Sequence, residues 1–197
     1  MLFLGVTGSL AMGKSTVTAM FAEFGAATHG ADAAVHRLYA AAAAAAPIGA
    51  AFPGTVRNGV VDRAALGAIV ARDPAALARL EAIVHPLVRD AENAFRARAA
   101  GSGRRLAVLD IPLLLETGAE RRVDVVLVVS CRPEIQAARI AHRGMDRARA
   151  AALIARQMSD TEKRTRAHFV VDTSGSLDVT RREVSDIMRA LAGRTAG

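Results

Sequence analysis

The sequence predicts an α/β fold, a mainly parallel sheet flanked by helices. Three features point that way. Short apolar runs alternate with stretches of helical periodicity along the 197 residues. The first run, Leu2–Thr7, passes through a glycine-bounded turn straight into a helical stretch. Residues 123–130 are a β-branched run with almost no alternation, as suits a parallel strand buried on both faces.

Leu2–Thr7 reads as a buried strand and residues 15–24 as a helix stopped by Gly25. A weak apolar signal allows a second strand over residues 26–29. Residues 32–46 read as one helix, closing in an alanine run (residues 40–46) that favours helix by propensity, before Pro47. Asn58-Gly59 marks a turn. From Arg63 to about Ala100 the pattern is helical, with Leu77, Leu80, Ile83 and Val84 at helical spacing. Asp73-Pro74 and His85-Pro86 each read as a helix start. Residues 106–109 predict a strand ending in Asp110. After the 123–130 strand come helices over residues 133–142 and about 147–158, then a last strand at 169–171. Val184, Ile187, Met188 and Leu191 form the apolar stripe of a closing helix. The helical stretch near residues 60–100 is an excursion from the sheet.

Composition narrows the function classes. Hydrophobic residues make up 52%, which excludes a disordered chain. The net charge of +7 is almost wholly arginine, since lysine occurs only at Lys14 and Lys163. Arginine binds phosphate through a planar fork of donors, so a polyanionic partner fits. Aromatics are only 4%, which argues against a single-strand nucleic-acid binder that stacks bases. The single cysteine, Cys131, permits no intrachain disulfide and no cysteine metal cluster, and suits a reducing compartment. No basic leader precedes the first strand, and no apolar run approaches the roughly 20 residues needed to span a bilayer. A cytoplasmic protein with no membrane and no nucleic-acid partner is expected.

Gly8-Ser9-Leu10-Ala11-Met12-Gly13-Lys14-Ser15 fits the phosphate-loop pattern G-x-x-x-x-G-K-[ST] at every fixed position. Such a loop turns successive backbone N–H groups inward onto phosphate oxygens, and glycine permits the dihedrals and the close approach. The following helix adds the positive end of its dipole. Gly8, Ala11, Met12, Gly13, Lys14, Ser15 and Thr16 are therefore candidate ATP-binding residues. Lys14 is expected to reach the β- and γ-phosphates, and Ser15 to offer its hydroxyl to Mg²⁺. Asp110, at a strand end, suits either a magnesium-orienting carboxylate or a turn cap. Asp32 suits either a proton acceptor beyond a strand end or a helix N-cap. Arg139 and Arg143 share a helix face; they could clamp a transferring phosphoryl or simply be solvated.

Taken together, these segments resemble dephospho-coenzyme A kinases over nearly the whole chain. The resemblance runs through Gly5-Val6-Thr7-Gly8, Ala31-Asp32 with His36, Gly59-Val60-Val61-Asp62-Arg63 and Leu80-Glu81-Ala82-Ile83-Val84-His85-Pro86. It continues in Asp110-Ile111-Pro112-Leu113-Leu114-Leu115-Glu116, residues 136–143, Gln157-Met158 and Glu162-Lys163-Arg164. His85-Pro86 combined with the 110–116 segment is its most specific part.

The resemblance implies a P-loop kinase-type fold with ATP and Mg²⁺. It implies transfer of the γ-phosphate to the ribose 3′-hydroxyl of dephospho-coenzyme A, the last step of coenzyme A synthesis. It also implies a single domain over residues 1–197. In that domain a nucleotide core (about 1–55 and 104–197) carries a helical acceptor-binding region (about 56–103) and a lid (about 139–150). Asp32 becomes the general base, acting with Lys14 and Arg139. Arg143 and Thr173 fall to ATP, and His85, Leu114 and Glu116 to the acceptor. Ser15 and Asp110 fall to the metal, and a monomer or weak homo-oligomer is expected. The chain departs from the family pattern at Met12, where a small residue is usual. Gly30 stands in place of a first carboxylate, His168 in place of Asp and Thr173 in place of Asn.

Rival readings are another small-molecule P-loop kinase, acting on a nucleoside monophosphate or sugar acid, and a nucleotide-dependent switch. The first does not account for the 110–116 segment, and a switch would need loops that read the γ-phosphate and a partner surface, neither of which is visible in the sequence.

Overall fold

The computed structural model describes residues 1–194. Its strands are β1 (Leu2–Thr7), β2 (Ala27–Gly30), β3 (Val56–Arg57), β4 (Val60–Val61), β5 (Leu106–Asp110), β6 (Val125–Ser130) and β7 (Phe169–Asp172). Its helices are α1 (Lys14–Glu23), α2 (Ala31–Tyr39), α3 (Ala42–Ala51), α4 (Arg63–Val70), α5 (Pro74–Ala100), α6 (Pro133–His142), α7 (Arg147–Ala155), α8 (Asp160–Thr165) and α9 (Leu177–Arg194). The chain forms two compact units, one of Met1–His29 with the chain from Ala99 onward, the other of Gly30–Arg98. The helical unit thus begins at α2, and residues 30–55 group with it rather than with the sheet.

In the first unit five strands run in the order β2-β5-β1-β6-β7. β1 pairs in parallel with β5 and β6, and β6 with β7. Every residue of β6 is buried, as its unbroken apolar run requires. One face, with Leu4, Val6, Val108, Leu127 and Val129, packs on Val17 and Phe21 of α1 and on Val184, Ile187 and Leu191 of α9. On the opposite face Val126 and Val128 meet Leu114, Leu115 and Ala119. Leu114 sits so close to β1 that a Cβ on Gly5 would lie 2.8 Å from its Cδ2. β1 is central, so the loop at its carboxyl end opens where ligands of such sheets gather.

The second unit has its own core. Ala44, Ala45 and Ile48 of α3, Leu66 of α4 and Leu80 and Val84 of α5 meet there, with Val35 and Leu38 of α2 against them. Asn58 (φ 52°) and Gly59 (φ 76°) form the left-handed turn that closes the β3–β4 hairpin, as their dipeptide predicts.

Several elements depart from the sequence reading. The single helix expected over residues 32–46 breaks at Ala40–Ala41, where Ala41 is extended (φ −104°, ψ 143°). The break lets α2 and α3 both turn apolar faces to one core, a demand that alanine propensity does not register. α3 then runs through Pro47, the lost hydrogen bond being offset by burial of Ala44, Ala45 and Ile48. Likewise Pro86 starts no helix: it lies inside the 27-residue α5. α8 was not legible, and α7 ends at Ala155, short of Met158.

Candidate active site

Residues 8–13 leave β1 and wrap into the N-terminus of α1. Gly13, the N-cap, has φ 90° and Ala11 φ 60°, left-handed values that let the loop reverse. Gly8 passes the end of β6 so tightly that a Cβ would lie 2.4 Å from the Val129 carbonyl oxygen. Two glutamines grip Leu10: its amide donates to Gln157 Oε1 at 3.2 Å, and Gln136 Nε2 donates to its carbonyl at 2.8 Å. Both lie in segments of the family resemblance, but nothing in the sequence assigns them this task.

Met12, a departure from the family pattern, turns inward. Its side chain is buried, and its sulfur accepts from the Cys131 amide at 3.1 Å and lies 3.3 Å from Cys131 Sγ. Where the family pattern has a small residue, this long side chain is an anchor in the core. Burial pushes the Cys131 thiol up, with the Arg139 charge pulling the other way. The thiol therefore stays protonated and packs as an apolar group.

Lys14 Nζ lies 3.3 Å from Asp110 Oδ1, both side chains being mostly buried. The ammonium of the loop and the carboxylate at the end of β5 thus face each other, and Ser15, the next residue of α1, is exposed. The Ser15 hydroxyl and the Asp110 carboxylate are by their chemistry hard oxygen donors of the kind magnesium takes when phosphates complete its shell. Among the described residues no group of three or more His, Cys, Asp or Glu could hold a metal unaided.

A cavity of about 510 Å³ adjoins the loop, lined by Ala11, Gly13 and Thr16 and by Arg139 and His142 of α6 with Arg143, the residue that caps it. His142 was not singled out by the sequence. Arg139 is half-buried: Nη1 donates to Thr173 Oγ1 at 2.8 Å and Nη2 to the Thr173 carbonyl at 2.6 Å. The Thr173 hydroxyl in turn donates to the Met12 carbonyl at 2.8 Å. In the segment expected as a lid, Ile140 and Ala150 are buried against Ala11, with Leu10 and Met145 packed around them.

The first unit therefore brings together the loop, Lys14, Ser15, Thr16, Asp110, Arg139, Arg143 and Thr173. Of the acceptor candidates, Leu114 is fully buried in the core and offers no side-chain surface to a ligand. Its place against the bare backbone of Gly5 explains why a large apolar residue stands there. Glu116 Oε1 lies 2.9 Å from Nζ of the fully buried Lys163 and accepts the Met158 amide at 3.0 Å. Burial alone would raise the Glu116 pKa, but Lys163 and the amides outweigh it and hold the carboxyl below its usual range. Asp32 and His85 belong to the second unit, on α2 and α5, and both are exposed. One turn beyond Asp32, His36 Nδ1 lies 3.1 Å from Arg63 Nη1. His168, another departure, accepts the Val126 amide on Nδ1 at 3.1 Å, a task a carboxylate could also perform.

The profile of the dephospho-CoA kinase family matches residues 2–178. Named dephospho-CoA kinases from Brucella melitensis (52% identical over 197 residues) and Mesorhizobium japonicum (53% over 195) align along their length. The first match covers 100% of this chain and 98% of the relative, the second 98% of each. Among solved structures, a Thermus thermophilus protein superposes with TM-score 0.80 at 32% identity, over 100% of this chain and 98% of that one. The dephospho-CoA kinase of Campylobacter jejuni gives TM-score 0.73 at 26% identity, over 97% of each chain. A shikimate kinase from Acinetobacter baumannii shares the fold alone (TM-score 0.54, 14% identity, 100% of this chain and 96% of that one). The chain belongs to the dephospho-CoA kinase family.

Proposed function

We propose that this chain transfers the γ-phosphate of ATP to the ribose 3′-hydroxyl of dephospho-coenzyme A, giving coenzyme A. The observation that carries the reading is the phosphate loop opening on a cavity faced by Arg139 and Arg143, in a chain of this family. Phosphoryl transfer asks a protein mainly for positioning and charge neutralisation. The loop amides and Lys14 hold the β- and γ-phosphates. Arg139, with Arg143 beside it, faces the charge that spreads over the transferring group. Asp32 accepts the proton of the attacking hydroxyl, a role that comes from the family resemblance. His85 and Glu116 are assigned to the acceptor on the same ground, Glu116 being held by Lys163. Ser15 and Asp110 would hold Mg²⁺, which when bound neutralises phosphate charge.

No helix among the described residues is long and apolar enough to cross a membrane. Its one buried free cysteine suits the reducing cytoplasm; a monomer or weak homo-oligomer is the state we expect there.

ADP release, followed with ATP and a panel of dephospho-coenzyme A, AMP, gluconate and no acceptor, tests the reading. Turnover is expected with dephospho-coenzyme A alone; faster turnover with AMP or gluconate would refute it. Lys14→Ala abolishes transfer while the protein stays folded. Asp32→Asn lowers kcat by roughly 10²–10⁴, the usual range for a general base, and leaves ATP binding intact. Near-normal turnover in Asp32→Asn removes that residue from the role.

A further inference from the structure

Thr173 follows β7 and is buried, with its amide donating to the Ser130 carbonyl at 2.9 Å, so it is fixed to the end of the sheet. A hydroxyl has one proton and two lone pairs. The proton goes to the Met12 carbonyl at 2.8 Å, the nearer of the two carbonyls in reach, Ser130 O lying at 3.4 Å. A lone pair then accepts from Arg139 Nη1 at 2.8 Å. The second guanidinium nitrogen donates to the carbonyl of the same threonine at 2.6 Å. Both tips of the planar fork are thus spent on one residue, which fixes the plane and roll of the guanidinium. Its remaining N–H groups are left for the cavity that Arg139 lines.

The cation on one side of the hydroxyl strengthens its donation on the other, because hydrogen bonds in a chain polarise one another. The loop is thereby held at two points. Thr173 takes the Met12 carbonyl, while the Met12 sulfur is pinned by the Cys131 amide. The fit is tight, since a Cβ on Gly13 would lie 3.1 Å from Thr173 Oγ1.

We propose that Thr173 is a positioning residue for phosphoryl transfer. Through its hydroxyl it joins the arginine that faces the transferring group to the loop that holds the rest of the triphosphate. The proposal rests on the function given above, in which Arg139 faces the phosphoryl. Thr173 lines the same cavity, but both bonds of its hydroxyl go to protein groups, so the role proposed for that hydroxyl is exerted through Arg139 and Met12 rather than on a reactant.

The test compares Thr173→Val, Thr173→Ser, Arg139→Ala and the double variant Thr173→Val/Arg139→Ala. ADP release is measured with saturating ATP and dephospho-coenzyme A, and thermal unfolding is measured alongside. Valine keeps the shape and removes both bonds of the hydroxyl, whereas serine keeps both. Thr173→Val is expected to lower kcat about 10- to 100-fold, less than the roughly 10²–10³ of a lost direct donor in Arg139→Ala. Thr173→Ser restores most of the rate. In the Arg139→Ala background, Thr173→Val costs less than in the parent, because the share of its effect that passes through the arginine is already gone and only the share through Met12 is left.

The proposal is overturned if Thr173→Val turns over within about twofold of the parent, even when its melting temperature falls. It is overturned equally if the valine penalty is as large without Arg139 as with it. A parent chain that releases no ADP with dephospho-coenzyme A would instead sink the function itself.

Discussion

Replacing Lys163 by methionine separates the energetics of the buried ion pair from its neighbours. Lys163 is fully buried and its Nζ lies 2.9 Å from Glu116 Oε1, whose side chain is 14% exposed. Methionine fills the space of the lysine stem but leaves the carboxylate with the Met158 amide and no cation. Breaking such a pair from one side costs about 3–5 kcal/mol. That is a fifth or more of the roughly 5–15 kcal/mol that holds a domain together. At about 2–4 °C per kcal/mol for a chain of this size, Lys163→Met should melt roughly 6–20 °C lower.

The pH dependence carries a sign. The Glu116 pKa is lowered in the folded protein, so its contribution is present above the unfolded carboxyl value near 4.3. That contribution is lost as pH falls through the depressed folded value. Without Lys163 the burial that raises the Glu116 pKa loses its main opponent. The carboxyl then takes up a proton more readily, and the gap between parent and Lys163→Met narrows toward about pH 4.5. Glu116→Gln/Lys163→Met, which removes both charges, should recover about 1–3 kcal/mol over the single variant. Urea unfolding at about pH 7.5 and about pH 4.5 measures all three differences. The reasoning fails if Lys163→Met costs under about 1 kcal/mol, the value of a surface pair. It fails too if the double variant is no more stable than the single one.

Two further substitutions probe the loop. Gly8→Ala places a methyl 2.4 Å from the Val129 carbonyl oxygen, so the loop must move away from β6. ATP binding by calorimetry should weaken at least about tenfold, a cost near 1.4 kcal/mol, and parent-like affinity would deny the close approach. Met12→Ala empties a buried site against Cys131. Urea unfolding should show a loss of about 2–4 kcal/mol, whereas a solvent-facing Met12 would show almost none.

The sequence by itself determined the elements whose signal is local. The 8–15 loop is spelled by glycines and a lysine at fixed spacing. β6 follows from its unbroken β-branched run, the β3–β4 turn from Asn58-Gly59, and α9 from its apolar stripe. Each depends on backbone geometry or periodicity within a few residues, so neighbouring residue types suffice to specify it. Tertiary structure decided what depends on residues far apart in the chain. It broke the alanine-rich helix at Ala40–Ala41 and carried α3 and α5 through Pro47 and Pro86, because burial against a shared core outweighs the local cost of proline. It turned Met12 into a core anchor, Leu114 into a packing residue against Gly5, and Glu116 into the partner of Lys163. It also joined Arg139 to Met12 through Thr173, 161 positions along the chain from Met12. Whether a polar side chain meets ligand, solvent or another side chain depends on which distant segment folds against it, and spacing along one chain carries no record of that.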